Sequence, residues 1–151
     1  MSAAIRSMAT LNRAAAEAVG KVPVHAVTDV TGFGLLGHLQ EMSQGSKVRV
    51  RLHAGQIPLL PDVVALAEAG LIPGGTRRNL HAVAGTVRWN PSIPEVRRFV
   101  IGDAQTSGGL FIATPDGAAL LAALAAAGVD GAARIGEIVA EDPEGTIEVE
   151  P

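Results

Sequence analysis

Apolar positions recur along this chain in two periods, and the switches between them mark its elements. Ala4, Met8, Leu11, Ala15 and Ala18 fall on one helical face, so a helix is expected over Ser2–Val19, stopped by Gly20. The run from Val22 to Thr28 reads as a buried strand. Leu35, Leu36, Leu39 and Met42 return to helical spacing, giving a helix over Phe33–Ser43 closed by Gly45. Lys47–His53 alternates strictly, with Val48, Val50 and Leu52 on one face and Arg49 and Arg51 on the other. Helices are then expected over Pro61–Ala69, Thr76–Val83, Pro94–Ile101 and Pro115–Ala127. Strands are expected over Thr86–Trp89, Leu110–Thr114, Ala133–Val139 and Thr146–Val149, the last two joined by a turn at Asp142-Pro143-Glu144-Gly145. Helices and strands mix throughout, which predicts an α/β (mixed α+β) fold with a layered mixed sheet covered by helices. No internal repeat or low-complexity linker interrupts the pattern, so residues 1–151 are expected to form a single domain.

The strand-to-helix passage Thr28-Asp29-Val30-Thr31-Gly32-Phe33-Gly34-Leu35-Leu36-Gly37-His38 carries the clearest chemistry. Asp29 stands at the carboxyl end of a strand, followed by glycines and a helix N-terminus. Such a terminus offers unpaired N–H groups and partial positive charge, which suit phosphate oxygens, while a carboxylate beside it suits Mg²⁺. The competing reading of Asp29 is a turn or helix-capping residue, with Thr31 as a rival cap. Gly32, Gly34 and Gly37 also fit the dinucleotide-binding glycine pattern. That pattern wants an acid ending the next strand, and Lys47–His53 ends without one. Arg49 and Arg51 read more simply as solvent-facing strand residues than as a 2′-phosphate site.

Composition narrows the picture further. Hydrophobic residues make up 48% and charged residues 18% of the chain, with a formal net charge of −3, values of an ordinary globular domain. The mild acidity and an aromatic content of 3% argue against a nucleic-acid surface. No apolar run approaches the roughly 20 residues of a membrane helix, and Met1–Arg6 lacks the apolar core of a signal peptide. A cytoplasmic setting, with no membrane partner, is the expectation. The chain has no cysteine, which excludes disulfides and thiolate metal sites. His25, His38, His53 and His81 show no zinc-binding spacing and read as packing or hydrogen-bonding residues. Neither a G-x-S-x-G elbow nor a P-loop is present.

Two further stretches carry candidate ligand chemistry. Gly74-Gly75-Thr76-Arg77-Arg78-Asn79-Leu80 opens a helix for which Thr76 is a candidate N-cap, and Arg77 or Arg78 could hold a phosphate bidentately. Asp103-Ala104-Gln105-Thr106-Ser107-Gly108-Gly109-Leu110 leads into a strand, with small hydroxyls and glycines that allow close backbone approach. On pattern alone, the favoured readings are a capped surface helix for the first and a plain turn into a strand for the second.

Taken in order, these three stretches resemble the motifs of selenophosphate synthetases (selenide, water dikinases), with Ala104 standing where that family usually has proline. Ser7-Met8-Ala9-Thr10-Leu11-Asn12-Arg13-Ala14 resembles the opening of the family's C-terminal domain, so the likeness runs from about Ser7 to the Gly136 region. The resemblance implies the α/β fold shared by aminoimidazole ribonucleotide synthetase relatives. It implies Asp29 as a Mg²⁺ ligand at the triphosphate. It assigns Thr28, Gly32 and Gly34 of the first motif, Thr76 and Arg77 of the second, and Thr106, Ser107, Gly108 and Gly109 of the third to phosphate or nucleotide binding. The implied cofactors are Mg²⁺ and ATP, and the implied reaction turns ATP, selenide and water into selenophosphate, AMP and phosphate. The family's reactive Cys or selenocysteine and most of its ATP site belong to an N-terminal half with no counterpart here. That half or a partner chain is therefore the expected partner, and the chain alone is expected to be inactive. The alternatives are a non-catalytic module for a phosphate-bearing ligand or a partner, and a domain of another ATP-dependent enzyme of the same superfamily.

Overall fold

The computed structural model describes residues 2–151; Met1, the first residue of the expected single domain, lies outside them. Its elements run α1 (Ser2–Ala9), α2 (Arg13–Val19), β1 (Ala26–Asp29), α3 (Gly34–Ser46), β2 (Val48–His53), α4 (Val63–Glu68), α5 (Gly74–Ala82), β3 (Val87–Trp89), α6 (Glu95–Ile101), β4 (Leu110–Ala113), α7 (Gly117–Ala126), β5 (Gly136–Glu141) and β6 (Ile147–Glu150). The mixed α/β class expected from the sequence is what forms.

Among the described residues, two sheets form rather than one. The larger has the order β3-β6-β2-β5, with β6 parallel to both β2 and β3, and β5 antiparallel to β2. Its inward side chains, among them Val50, Leu52, Val87, Ile147 and Val149, pack with Leu36 and Leu39 of α3 and Ile101 of α6 in the main core. The opposite face is charged. Arg51 lies 3.3 Å from Glu137 and 3.9 Å from Glu148, and Arg49 lies 3.6 Å from Glu148. The solvent-facing reading of these arginines holds, with cross-strand ion pairs to neighbouring strands. The smaller sheet pairs β1 with β4 antiparallel. Helices α2 and α7 pack together there, and Ala18, Val19, Leu120 and Leu124 form a second core. Among the described residues, no helix is long and apolar enough to cross a membrane.

Several expected boundaries move, each for a local reason. The first helix breaks between α1 and α2: the Thr10 hydroxyl donates to the Arg6 carbonyl (2.7 Å), while the Asn12 carbonyl accepts the Ala16 N–H to start the next helix. The first strand begins at Ala26 rather than Val22, since Pro23 brings no N–H to a ladder. Helix α3 runs through Gly45 to Ser46 and is closed by Lys47 in the left-handed region (φ 54°). Helix α5 begins at Gly74 behind Pro73, so Thr76 lies inside the helix and does not cap it. Asp116 caps α7 by accepting the Ala119 N–H at 2.9 Å.

Candidate functional site

The three motifs and the Asn12 segment, distant in sequence, meet at one place. Strand pairing brings the first and third together: Asp29 registers with Leu110, and the Val30 N–H donates to the Gly109 carbonyl (3.0 Å). The next turn of chain continues the contact, because the Gln105 N–H donates to the Thr31 carbonyl at 3.0 Å. The third motif is fastened to the start of α2 by Asn12, whose amide donates to the Gly108 carbonyl at 2.9 Å. The second motif joins through Asn79, whose side-chain amide donates to the carbonyls of Gly32 (3.0 Å) and Gly102 (3.3 Å). Thr76 completes the junction with a hydroxyl donated to the Asp103 carboxylate.

Glycine is required at two of these crossings. Gly34 has φ +68°, and a Cβ there would lie 2.6 Å from the Asp103 carbonyl oxygen and 3.0 Å from that of Gly102. A Cβ on Gly108 would collide with the Val30 carbonyl. Of the three glycines in the dinucleotide-like spacing, Gly34 marks a crossing between chain segments, Gly37 lies against the Phe33 side chain of its own turn, and Gly32 has open space around it.

The candidate residues fall into two groups. Asp29 is exposed and, among the described residues, its carboxylate has neither a hydrogen-bond donor nor an ion-pair partner. It caps nothing; the residue before α3 is Phe33, with no side-chain cap bond. Gly32, Thr106, Ser107 and Gly109 are exposed around the same junction, and Arg77 is exposed with its guanidinium 4.8 Å from the Phe99 ring centroid. Among the described residues, the amides of Gly32, Phe33, Thr106 and Ser107 donate to no backbone carbonyl. Thr28, Gly34, Thr76 and Gly108 are instead built into the scaffold. Thr28 is half-buried, its hydroxyl 3.2 Å from the Asp29 carbonyl; the Gly34 N–H donates to the Thr31 carbonyl at 2.9 Å; and Thr76 is 1% exposed.

No three His, Cys, Asp or Glu side chains come together as a metal set among the described residues. Asp29 can therefore give a metal one oxygen ligand here, and the hard, oxygen-seeking Mg²⁺ matches that donor type. A groove of about 1160 Å³ lies to one side, between β4 and the approach to β5, and reaches the junction at Asn12 and Gly109. Its walls are largely aliphatic, including Leu39, Met42, Ile112 and Leu121.

Among the connecting residues, His38 is the packing and hydrogen-bonding residue expected of it, whereas Asn12, Asn79 and Asp103 were not singled out by sequence reasoning. Each of these three lies inside a motif-like stretch, which is the only signal that could have found them. The partners of all four are 7 to 96 residues away.

The chain matches the family described as "AIR synthase related protein, C-terminal domain" over residues 2–148. It is 53% identical over 144 residues to a selenide, water dikinase of Myxococcus xanthus, covering 93% of this chain and 41% of that protein. A selenide, water dikinase of Pelobacter propionicus is 45% identical over 142 residues, covering 93% of this chain and 41% of that protein. One of Paraburkholderia xenovorans is 42% identical over 150 residues, covering 98% and 42%. The chain thus spans about two fifths of the length of the curated relatives it matches.

Proposed function

The chain belongs to the AIR synthase related C-terminal domain family, and from that premise we propose that it is the C-terminal domain of a selenophosphate synthetase-like enzyme, contributing a Mg²⁺-binding carboxylate at an ATP site completed by an N-terminal half or partner chain. The observation that carries this reading is Asp29: a charged group at a strand end, beside a rigidly tied junction, that the fold itself does not use. Mg²⁺-bound ATP supplies the phosphoryl group and the charge neutralisation that phosphoryl transfer to selenide demands.

Within that reading each residue has a defined task. Asp29 offers one hard oxygen ligand; one carboxylate does not make a Mg²⁺ site, so other ligands come from the nucleotide and the other half. Gly32 and Gly109 leave the backbone open to a phosphate, and the amides of Gly32, Phe33, Thr106 and Ser107 are donors for its oxygens. The Thr106 and Ser107 hydroxyls add donors, and Arg77 adds positive charge. Thr28, Gly34, Thr76 and Gly108 hold these groups in place. The nucleophile and most of the nucleotide site lie outside this chain, so it does not turn over ATP alone.

Asp29→Asn tests the assignment, because it keeps shape and removes charge. In the chain joined to a complete N-terminal half, selenide-dependent AMP formation is expected to fall sharply while the melting temperature stays put. A structural Asp29 would give the opposite pattern: a loss of ~1 kcal/mol, the scale of a missing cap, with activity kept. A stable, fully active variant would remove the metal assignment and favour a non-catalytic ligand-binding module.

A further inference from the structure

We propose that His38 is a positioning residue for the Asp29 turn: its neutral imidazole, carrying the proton on Nδ1, accepts the Thr31 N–H at Nε2 and so fixes the backbone that presents the carboxylate. The inference rests on the reading of Asp29 as a metal ligand.

His38 lies early in α3 and is 7% exposed. Its Nε2 is 3.1 Å from the Thr31 backbone nitrogen and 3.0 Å from the Thr31 hydroxyl. The hydroxyl can turn to suit either role, but the amide hydrogen is fixed by the peptide plane and can only donate. Nε2 is therefore the acceptor, and the single proton of the neutral ring belongs on Nδ1. Nδ1 is buried without a hydrogen-bond partner; Glu41 Oε2, one turn further along α3, comes within 3.4 Å of it but out of hydrogen-bond geometry. An imperfectly satisfied buried N–H carries a cost and calls for a reason. The contact at Nε2 supplies one. The Phe33 ring meets the imidazole edge-on, with centroids 5.8 Å apart and planes at 63°, and helps hold its orientation.

Thr31 makes the contact consequential. Its carbonyl accepts the N–H groups of both Gly34 and Gln105, so one peptide ties the first motif to the third and starts α3. Its remaining backbone polar group, the N–H, is the one His38 takes. Asp29 is two residues upstream, at the end of β1. A buried histidine serving only to fill space would be replaceable by leucine. One serving Thr31 is replaceable only by a side chain with an acceptor at the same reach, which glutamine has.

Two measurements test this. Long-range ¹H–¹⁵N correlations on the labelled chain, at a pH where the ring is neutral, read the tautomer directly. A proton on Nδ1 is expected, and a proton on Nε2 overturns the proposal whatever Asp29 does. In the enzyme completed with its N-terminal half, the second readout is the Mg²⁺ dependence of AMP formation. His38→Leu is expected to raise the half-saturating Mg²⁺ concentration roughly 3- to 10-fold, the scale of one lost hydrogen bond, with a smaller effect on kcat. His38→Gln is expected to restore it. Equal behaviour of the two variants, or no shift with leucine while Asp29→Asn does shift it, overturns the positioning role. If Asp29→Asn also leaves Mg²⁺ dependence unchanged, the metal reading fails and takes this one with it. Should His38→Leu fail to fold, the tautomer and the glutamine variant decide.

Discussion

Gly34→Ala should damage this protein far more than its single added methyl suggests. Two penalties stack at that position. The backbone sits at φ +68°, where an L side chain pays about 1–2 kcal/mol. The new Cβ would also lie 2.6 Å from the Asp103 carbonyl oxygen and 3.0 Å from that of Gly102. Both are backbone atoms of a segment pinned by Asn79 and by the Gln105–Thr31 bond, so they cannot swing aside as a side-chain tip could. Overpacking of this kind costs about 1–3 kcal/mol. Together the loss is roughly 2–5 kcal/mol, or on the order of 10 °C in melting temperature for a domain of this size. Gly32→Ala, two residues away in the same turn, is the control: φ there is not positive, and a Cβ meets nothing within 4 Å. It should stay within about 0.5 kcal/mol of the parent. Urea unfolding followed by the fluorescence of Trp89, the only tryptophan, measures both. Equal stability of the two variants would refute the claim that Gly34 marks a backbone crossing between motifs.

Asp142 provides an acid-stability test. Hydrogen bonds from the Thr146 side chain and the Glu144 N–H, with help from Arg49 and against the effect of burial, hold its carboxyl down to about 2. A carboxyl depressed on folding stabilises above its unfolded value of about 4 and loses that contribution as pH falls through the folded one. Asp142→Asn should therefore be less stable than the parent at neutral pH, and the gap should close between about pH 4 and 2; a gap independent of pH would contradict this. Gly45→Ala should stabilise the protein by about 0.5–1 kcal/mol, because Gly45 lies inside α3, has no positive φ, and leaves room for a Cβ. A fall in its urea midpoint would show that the end of α3 needs the glycine.

How far the molecule could be read in advance depended on the range of the forces involved. The alternation of Val48, Val50 and Leu52 with Arg49 and Arg51 is a local signal, and it located both the core face and the solvent face of β2 correctly. Helix ends were read less well, because their stops were decided by particular contacts. The Thr10 hydroxyl turned back to the Arg6 carbonyl, and Lys47 took the left-handed position expected of Gly45. At the candidate site, Asp29 and the glycine turns were visible as chemistry at a strand end. The links were not: nothing local to Asn12 says that it will meet Gly108, nor does anything near Thr76 point to Asp103. Polar residues of this kind are chosen by the tertiary structure, and only their place within motif-like stretches hints at a role.

The position of β6 in the larger sheet also bears on how the chain is made. Its Ile147 and Val149 are fully buried, and the strand lies between β2 and β3, separated from β2 in sequence by the whole span of α4 to β5. Until residues 147–150 leave the ribosome, β2 and β3 each show an unpaired edge and an apolar face to the cell. Such edges are templates for wrong pairing. The interval between the synthesis of β3 and that of β6 is therefore when a nascent chain most needs shielding by chaperones, and slow translation there would lengthen the exposure.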